Sequence, residues 1–241
     1  MQQPSIILQD VSKSFGKKEV LHNISLQVEK AEIFGLVGPS GSGKTTLIKM
    51  IAGINEASKG EVLVFNTIMP KLSEMKRIGY MAQADALYEE LSAYENADFI
   101  ATMYGLNGKR KKERINEVFE LVELSDYSKE QVQHFSGGMK KRLSLAIALL
   151  HEPEILILDE PTVGIDPLLR KSIWTKFYDL KKKGTTIIVT THIMDEAEFC
   201  ERLGLIREGR LVAIGAPEEL KKQTTSGRIE DVFLLEEVAE R

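Results

Sequence analysis

Nine residues, Gly38-Pro39-Ser40-Gly41-Ser42-Gly43-Lys44-Thr45-Thr46, constrain this chain more than any other stretch. They keep the spacing of a glycine, four residues, then Gly-Lys-Thr. Before them Glu32-Ile33-Phe34-Gly35-Leu36-Val37 reads as a short buried strand, and after them Thr46 to Ala52 reads as a helix that stops at Gly53. Strand, glycine loop and helix together form the context that a phosphate-binding loop demands. The glycines let the backbone curl so that successive N–H groups face an anion. The helix N-terminus adds unpaired donors and partial positive charge. In such a loop Lys44 reaches the β and γ phosphates of a nucleoside triphosphate, and the Thr45 hydroxyl takes a place on Mg²⁺. Many unrelated tasks share this loop, so it does not say what the bound energy drives.

Two further apolar runs end in chemistry. Ile155-Leu156-Ile157-Leu158 runs into Asp159-Glu160. A strand apolar on both faces belongs in a parallel sheet covered by helices, and ligands bind at the carboxyl ends of such strands. Asp159 there suits Mg²⁺, held directly or through water, and Glu160 is placed to orient an attacking water. The β-branched run Thr185 to Thr191 ends in His192. A lone histidine is more often structural, but at a strand end it can also meet a γ phosphate. Arg77 to Gln83 reads as one more strand ending in a polar residue.

Between these strands the pattern changes to helical. Ser92 followed by Glu95 fits a capping box, and Ile115, Val118, Phe119 and Val122 make one apolar stripe. Ser128 to Gln133 reads as a polar linker. Ser136-Gly137-Gly138 then opens a helix, with the serine as N-cap. Two glycines in a first turn cost roughly 1 kcal/mol each against alanine. That cost points to close approach by an anion, although a tight turn between helices also fits. At the amino end Ile24, Leu26 and Val28 alternate with polar residues. With Ile6, Leu8, Val11 and the run Gly60 to Phe65 they predict a small antiparallel sheet beside the phosphate loop. Leu203 to Gly215 reads as a hairpin turning at Glu208-Gly209. Residues after Pro217 read as polar and helical, with a late apolar patch at Val232 to Leu235.

Composition sets the bounds. At 241 residues, 43% hydrophobic and 28% charged, the chain suits one well-packed domain with an insertion. Net charge is 32 − 36 = −4, which argues against a nucleic-acid partner. The basic clusters at 109–112 and 181–183 sit among acidic residues and read as solvated helix faces. Cys200 is the only cysteine, so no intramolecular disulfide and no cysteine metal cluster are expected, in keeping with a reducing cytosol. The first residues predict no signal peptide, and no stretch is long and apolar enough to predict a membrane span.

Taken together, the motifs from about residue 5 to 220 resemble the ATP-binding subunit of an ATP-binding cassette (ABC) transporter. Gly38 to Thr45 is similar to the Walker A loop, Gln83 to the Q-loop, Ser136-Gly137-Gly138 to the family signature and Leu158-Asp159-Glu160 to Walker B. Gly164-Ile165-Asp166 resembles the D-loop and His192 the switch histidine. Phe15, by itself an ordinary core aromatic, falls where the family stacks adenine. The signature departs from Leu-Ser-Gly-Gly-Gln: it reads Phe135-Ser136-Gly137-Gly138-Met139, which removes an amide side chain. Met139, the Gly-Ile-Asp-Pro stretch and the late Glu230 to Leu234 resemble the bacterial drug- and antibiotic-resistance exporter branch.

The resemblance implies an α/β phosphate-loop NTPase core (1–85 and 151–215) with a small antiparallel β subdomain. It adds an all-helical insertion carrying the signature (86–150) and a C-terminal extension (216–241). It implies ATP and Mg²⁺ as cofactors, with Thr45, Gln83 and Asp159 on the metal and Lys44, Gln83, Glu160 and His192 in catalysis. Phe15, Gly38 to Thr46, Ser136, Gly137, Gly138 and Asp166 would hold nucleotide. It implies a second copy, as homodimer or related heterodimer, whose signature caps the ATP held by the first. It further implies a membrane permease at the inner face of the cell membrane, and export. A soluble ABC ATPase of DNA repair or translation is the alternative. Such relatives usually carry long coiled coils or two cassettes in one chain, and neither is visible here.

Overall fold

In the computed structural model, which describes residues 3–84 and 86–233, the chain begins with a hairpin of β1 (Ile6–Phe15) and β2 (Lys18–Val28). β3 (Ile33–Val37) leads through the glycine loop into α1 (Lys44–Ile51). β4 (Lys59–Val64), β5 (Thr67–Ile68), the short α2 (Leu72–Met75) and β6 (Ile78–Met81) follow. α3 (Ala93–Met103), α4 (Gly108–Leu121) and α5 (Gly137–Leu149) form the helical block. The chain then runs β7 (Ile155–Asp159), α6 (Pro167–Lys182), β8 (Thr186–Thr191) and α7 (Met194–Ala197). β9 (Arg202–Arg207), β10 (Arg210–Gly215) and α8 (Pro217–Lys221) complete the elements.

The strands make two sheets. One is antiparallel, ordered β2-β1-β4-β5, where the alternation of Ile24, Leu26 and Val28 with polar neighbours predicts it. The other is six-stranded, ordered β10-β9-β3-β8-β7-β6, with β10 its antiparallel edge and the rest parallel. Every residue of β3, β7 and β8 is buried, as a sheet covered on both faces requires. Side chains alternate between two cores. Phe34, Leu36, Ile157 and Ile188 pack with α1 and the antiparallel sheet. Ile33, Val37, Leu156, Leu158, Ile187 and Val189 pack with Trp174 and Phe177 of α6 and with the helical block.

Parallel register places four strand ends together. Val37 pairs with Thr191, Thr190 with Asp159, and Leu158 with Met81. The loop after β3, Asp159 and Glu160 at the end of β7, His192 after β8 and Gln83 after β6 therefore lie along one edge. The helical block leaves from β6 and returns into β7, which are neighbours, so it is an insertion at that same edge.

Two local readings change. Among the described residues, the segment after Pro217 is a five-residue helix, then a 3-10 turn at Ile229–Asp231 that leads into helical residues 232 and 233, not one continuous helix. Thr224 and Ser226 hydroxyls take the Arg228 N–H at 3.2 and 3.3 Å, a local bond that competes with helix propagation, and Gly227 has φ +70°. Val232 and Phe233 of the late apolar patch are buried, whereas Leu234 and Leu235 lie outside the described residues. The polar 128–133 segment also buries Val132 and pairs Gln131 with Ser92. The basic clusters carry ion pairs, Lys109 to Glu113 along α4, Lys111 across to Asp98 of α3 and Lys181 of α6 to Glu201 before β9.

Candidate active site

The glycine loop is shaped by contact as much as by conformation. Gly43 has φ +105°, and a Cβ there would sit 2.6 Å from Leu21 of β2. A Cβ on Gly38 would lie 2.0 Å from the Ile206 carbonyl of β9. Only glycine lets the loop pass between the hairpin and β9. Lys44 starts α1 and folds back over the loop, its Nζ donating to the carbonyls of Gly38 (2.7 Å) and Pro39 (3.0 Å). Burial pushes the Lys44 ammonium below its usual pKa, and Glu160 and Asp159 pull it back up. Ser42 is buried, and its hydroxyl has no hydrogen-bond partner.

A cleft of about 270 Å³ opens over this loop. Ser40, Gly41, Gly43, Lys44, Thr45 and Thr46 line it, with Val20 from β2 and with Gln83 and Glu160 from the strand ends. Phe15 stands at the end of the same hairpin, 51% exposed and with the Lys13 ammonium 5.1 Å from its ring centroid. It is therefore not a core residue, and its face is open to a flat partner.

Glu160 is held at both oxygens. Gln83 Nε2 donates to one at 3.2 Å, and His192 Nδ1 is 3.1 Å from the other. Its backbone has φ +52°, a left-handed conformation that costs a non-glycine residue on the order of 1 kcal/mol. Glu160 N–H is anchored by the carbonyl and hydroxyl of Thr190, at 3.2 and 3.0 Å, and Lys141 of α5 donates to its carbonyl at 3.3 Å. Asp159 is 1% exposed and accepts from Thr190 Oγ1 at 2.6 Å through Oδ1, while its buried Oδ2 has no partner. Thr190 and Lys141 are positioning groups that the sequence alone did not flag. Thr190 looks like an ordinary β-branched strand residue until the β7–β8 register sets it beside Asp159.

The oxygen donors fit a hard cation of the Mg²⁺ type. Among the described residues no cluster of three or more His, Cys, Asp or Glu could hold a metal unaided. Mg²⁺ needs none, because it keeps waters and binds one or two protein oxygens plus phosphates. The unpartnered Asp159 Oδ2 and the Thr45 hydroxyl supply that chemistry.

Ser136, Gly137 and Gly138 do not line this cleft. They form the N-terminus of α5, where the Ser136 side chain accepts from Met139 N at 3.2 Å. A Cβ on Gly137 would meet nothing within 4 Å, and one on Gly138 the Gly164 carbonyl at 3.6 Å and the Ser136 hydroxyl at 4.0 Å. These glycines leave room in solvent, unlike Gly38 and Gly43. Asp166 caps α6 through Leu169 N at 3.0 Å. Met139 packs partly against the core of the helical block.

A phosphate cradle on the end of a parallel sheet, facing a strand-end carboxylate, with a helical insertion between β6 and β7, defines a phosphate-loop NTPase. The family described as ABC transporter matches residues 21–163, more than half of the chain, and the chain belongs to that family. It is 42% identical over 215 residues to the linearmycin resistance ATP-binding protein LnrL of Bacillus subtilis, covering 88% of this chain and 69% of that one. It is 40% identical over 219 residues to the probable multidrug ABC transporter ATP-binding protein YbhF of Escherichia coli. That match covers 90% of this chain, which spans 38% of YbhF. The fold matches a dimeric post-hydrolysis state of the ATP-binding cassette MJ0796 bound to ADP and phosphate. The TM-score is 0.82 at 26% identity, over 88% of this chain and 98% of that one.

Proposed function

We propose that the chain binds ATP with Mg²⁺ in the cleft over Lys44, hydrolyses it, and drives a separate membrane permease that exports its substrate. The observation that carries this reading is the meeting of Lys44, Thr45, Gln83 and Glu160 in one cleft, with the exposed Ser136-Gly137-Gly138 helix end outside it.

Lys44 and the loop N–H groups hold the β and γ phosphates, and Phe15 stacks on the base. Thr45, Gln83 and Asp159 hold Mg²⁺, which when bound neutralises the charge that builds on the phosphates. Glu160 orients the attacking water and takes its proton. An ionised carboxylate has about four lone-pair sites, so it can do this while Gln83 and His192 keep it aimed. His192 faces the γ phosphate. A second copy, identical or related, supplies Ser136, Gly137 and Gly138 to that same phosphate, with Asp166 at the seam. A helix N-terminus whose first two residues carry no side chain is the kind of surface an anion seeks.

Among the described residues no helix is long and apolar enough to cross a membrane. In this reading, work on a membrane passes to the permease at the cell's inner face. α3 offers the surface for it. Exposed Phe99 and Met103 line a groove of about 520 Å³ with Tyr94, and Tyr88 packs edge-on to Phe99 at 5.4 Å. The names of the relatives, linearmycin resistance and multidrug transport, favour export of a drug or antibiotic.

The test is assembly. Glu160→Gln should run as a monomer without nucleotide and as a dimer with ATP and Mg²⁺ in size-exclusion chromatography with light scattering. A variant that binds ATP and stays monomeric overturns the shared-site reading.

A further inference from the structure

Glu196 of α7 lies behind the candidate site and lines none of it. Its side chain is 1% exposed. One oxygen accepts from the Thr162 hydroxyl and stands 3.5 Å from Arg170 Nε. The other accepts from the Thr191 hydroxyl at 2.9 Å. Thr191 Oγ1 in turn accepts from Ile193 N at 3.0 Å, and Arg170 also donates to the Ile165 carbonyl at 3.3 Å.

The partners define what the carboxylate does. Thr162 comes two residues after Glu160, Thr191 immediately precedes His192, and Ile165 immediately precedes Asp166. Both threonines are completely buried. A single carboxylate thus ties together the three segments that carry Glu160, His192 and Asp166. Burying a carboxylate costs several kcal/mol unless donors surround it, and replacing a whole buried charged set by apolar residues of the same size is often neutral or stabilising. Stability alone therefore gives little reason for a charge here.

We propose that Glu196 is a positioning residue for ATP hydrolysis. It fixes the Glu160–His192 spacing and couples that spacing to the segment ending at Asp166. The inference rests on the reading of Glu160 and His192 as groups that act on ATP. Glu196 contacts neither the glycine loop nor Lys44, so nucleotide affinity is separable from it.

The test is steady-state ATP hydrolysis and ATP binding by the full chain. The variants are Glu196→Gln, Thr191→Val and Thr191→Ser, each alone and combined with His192→Ala. Glu196→Gln and Thr191→Val should lower kcat by about tenfold or more while KM for ATP moves by less than about twofold. Thr191→Ser keeps the hydroxyl and should keep the native kcat. On the His192→Ala background the same substitutions should cost clearly less than on the native one, because one of the two groups whose spacing they fix is gone. An equal fold-loss on both backgrounds, a rise in KM at unchanged kcat, or a native rate for Glu196→Gln overturns the proposal. If Glu196→Gln does not fold, the Thr191 pair decides alone. If His192→Ala itself turns over ATP at the native rate, the role given to His192 fails and this inference fails with it. A lost rate in His192→Ala beside a native rate in Glu196→Gln sinks the inference only.

Discussion

His192 Nδ1 stands 3.1 Å from one oxygen of Glu160 while Gln83 Nε2 donates to the other at 3.2 Å. Three strand ends thus fix one carboxylate. A carboxylate held by fixed partners leaves little reorganisation for the reaction itself. Glu160→Gln keeps the size and the contact to Gln83 but cannot take a proton. Its ATP affinity should stay within about twofold of native while kcat falls by roughly 10²–10⁴. Equilibrium binding and single-turnover hydrolysis measured on one preparation check this. Turnover at the native rate would remove Glu160 from the role of base.

Lys44 makes a separate prediction because its cost and its use are opposed. It is 5% exposed and hydrogen-bonded to two carbonyls, and burial pushes its pKa down. A lysine whose folded-state pKa lies below its unfolded value burdens the fold while it is charged. That burden lifts as pH rises through the folded value toward 10.5. Lys44→Met should abolish ATP turnover yet leave the nucleotide-free protein as stable as native or more so near pH 7, with the difference shrinking at high pH. A melting temperature several degrees lower at pH 7 would show that the ammonium is a net stabiliser.

The glycines divide into two kinds, and the difference is measurable. Gly38→Ala drives a methyl to within 2.0 Å of the Ile206 carbonyl, so β9 or the loop must move. It should destabilise by about 1–3 kcal/mol or more, as overpacking does. Gly137→Ala meets nothing within 4 Å and lies in the first turn of α5. It should leave stability unchanged or raise it by up to about 1 kcal/mol, yet lower ATP-driven dimerisation by narrowing the space above the helix end. Urea melts and light scattering on both variants decide. Loss of folding in Gly137→Ala, or native stability in Gly38→Ala, would reverse the assignment.

That pair also marks how far the sequence could be read. The glycine spacing, the apolar run into Asp159-Glu160 and the Ser92–Glu95 capping box are local, and local pattern is what a sequence displays. The need for Gly38 and Gly43 looked conformational; in the fold it is also contact with Ile206 and Leu21, more than twenty residues away in either direction. Thr190, Thr191 and Thr162 read only as strand and turn formers. Their partners Asp159 and Glu196 follow from the β7–β8 register and from where α7 packs, which no spacing encodes. Phe15 shows the opposite case. As a lone aromatic on a strand it reads by default as core, and the family pattern favours a ligand instead; the structure leaves half its surface exposed.

His151 predicts how the joint between the helical block and the main sheet responds to acid. Its ring stacks on Tyr104, with centroids 3.8 Å apart and planes within 5°, and its Nε2 lies 3.1 Å from the Ile78 carbonyl of β6. Burial pushes its pKa down to about 4; the bond to Ile78 opposes the shift and nearby Arg114 adds to it. The folded-state value is thus below the unfolded value of about 6.5. The stability tied to neutral His151 is complete above pH 6.5 and drains away as pH falls toward 4. It is worth at most about 3 kcal/mol, less whatever solvent screens. His151→Phe keeps an aromatic ring against Tyr104 and removes the titration. Its absolute stability falls by the lost bond to Ile78, but its slope with pH between 6.5 and 4 should be shallower than native. Surface carboxylates titrate alike in both proteins and cancel in the difference. Urea midpoints at half-unit intervals measure it, and two parallel curves would mean that protonating His151 costs the joint nothing.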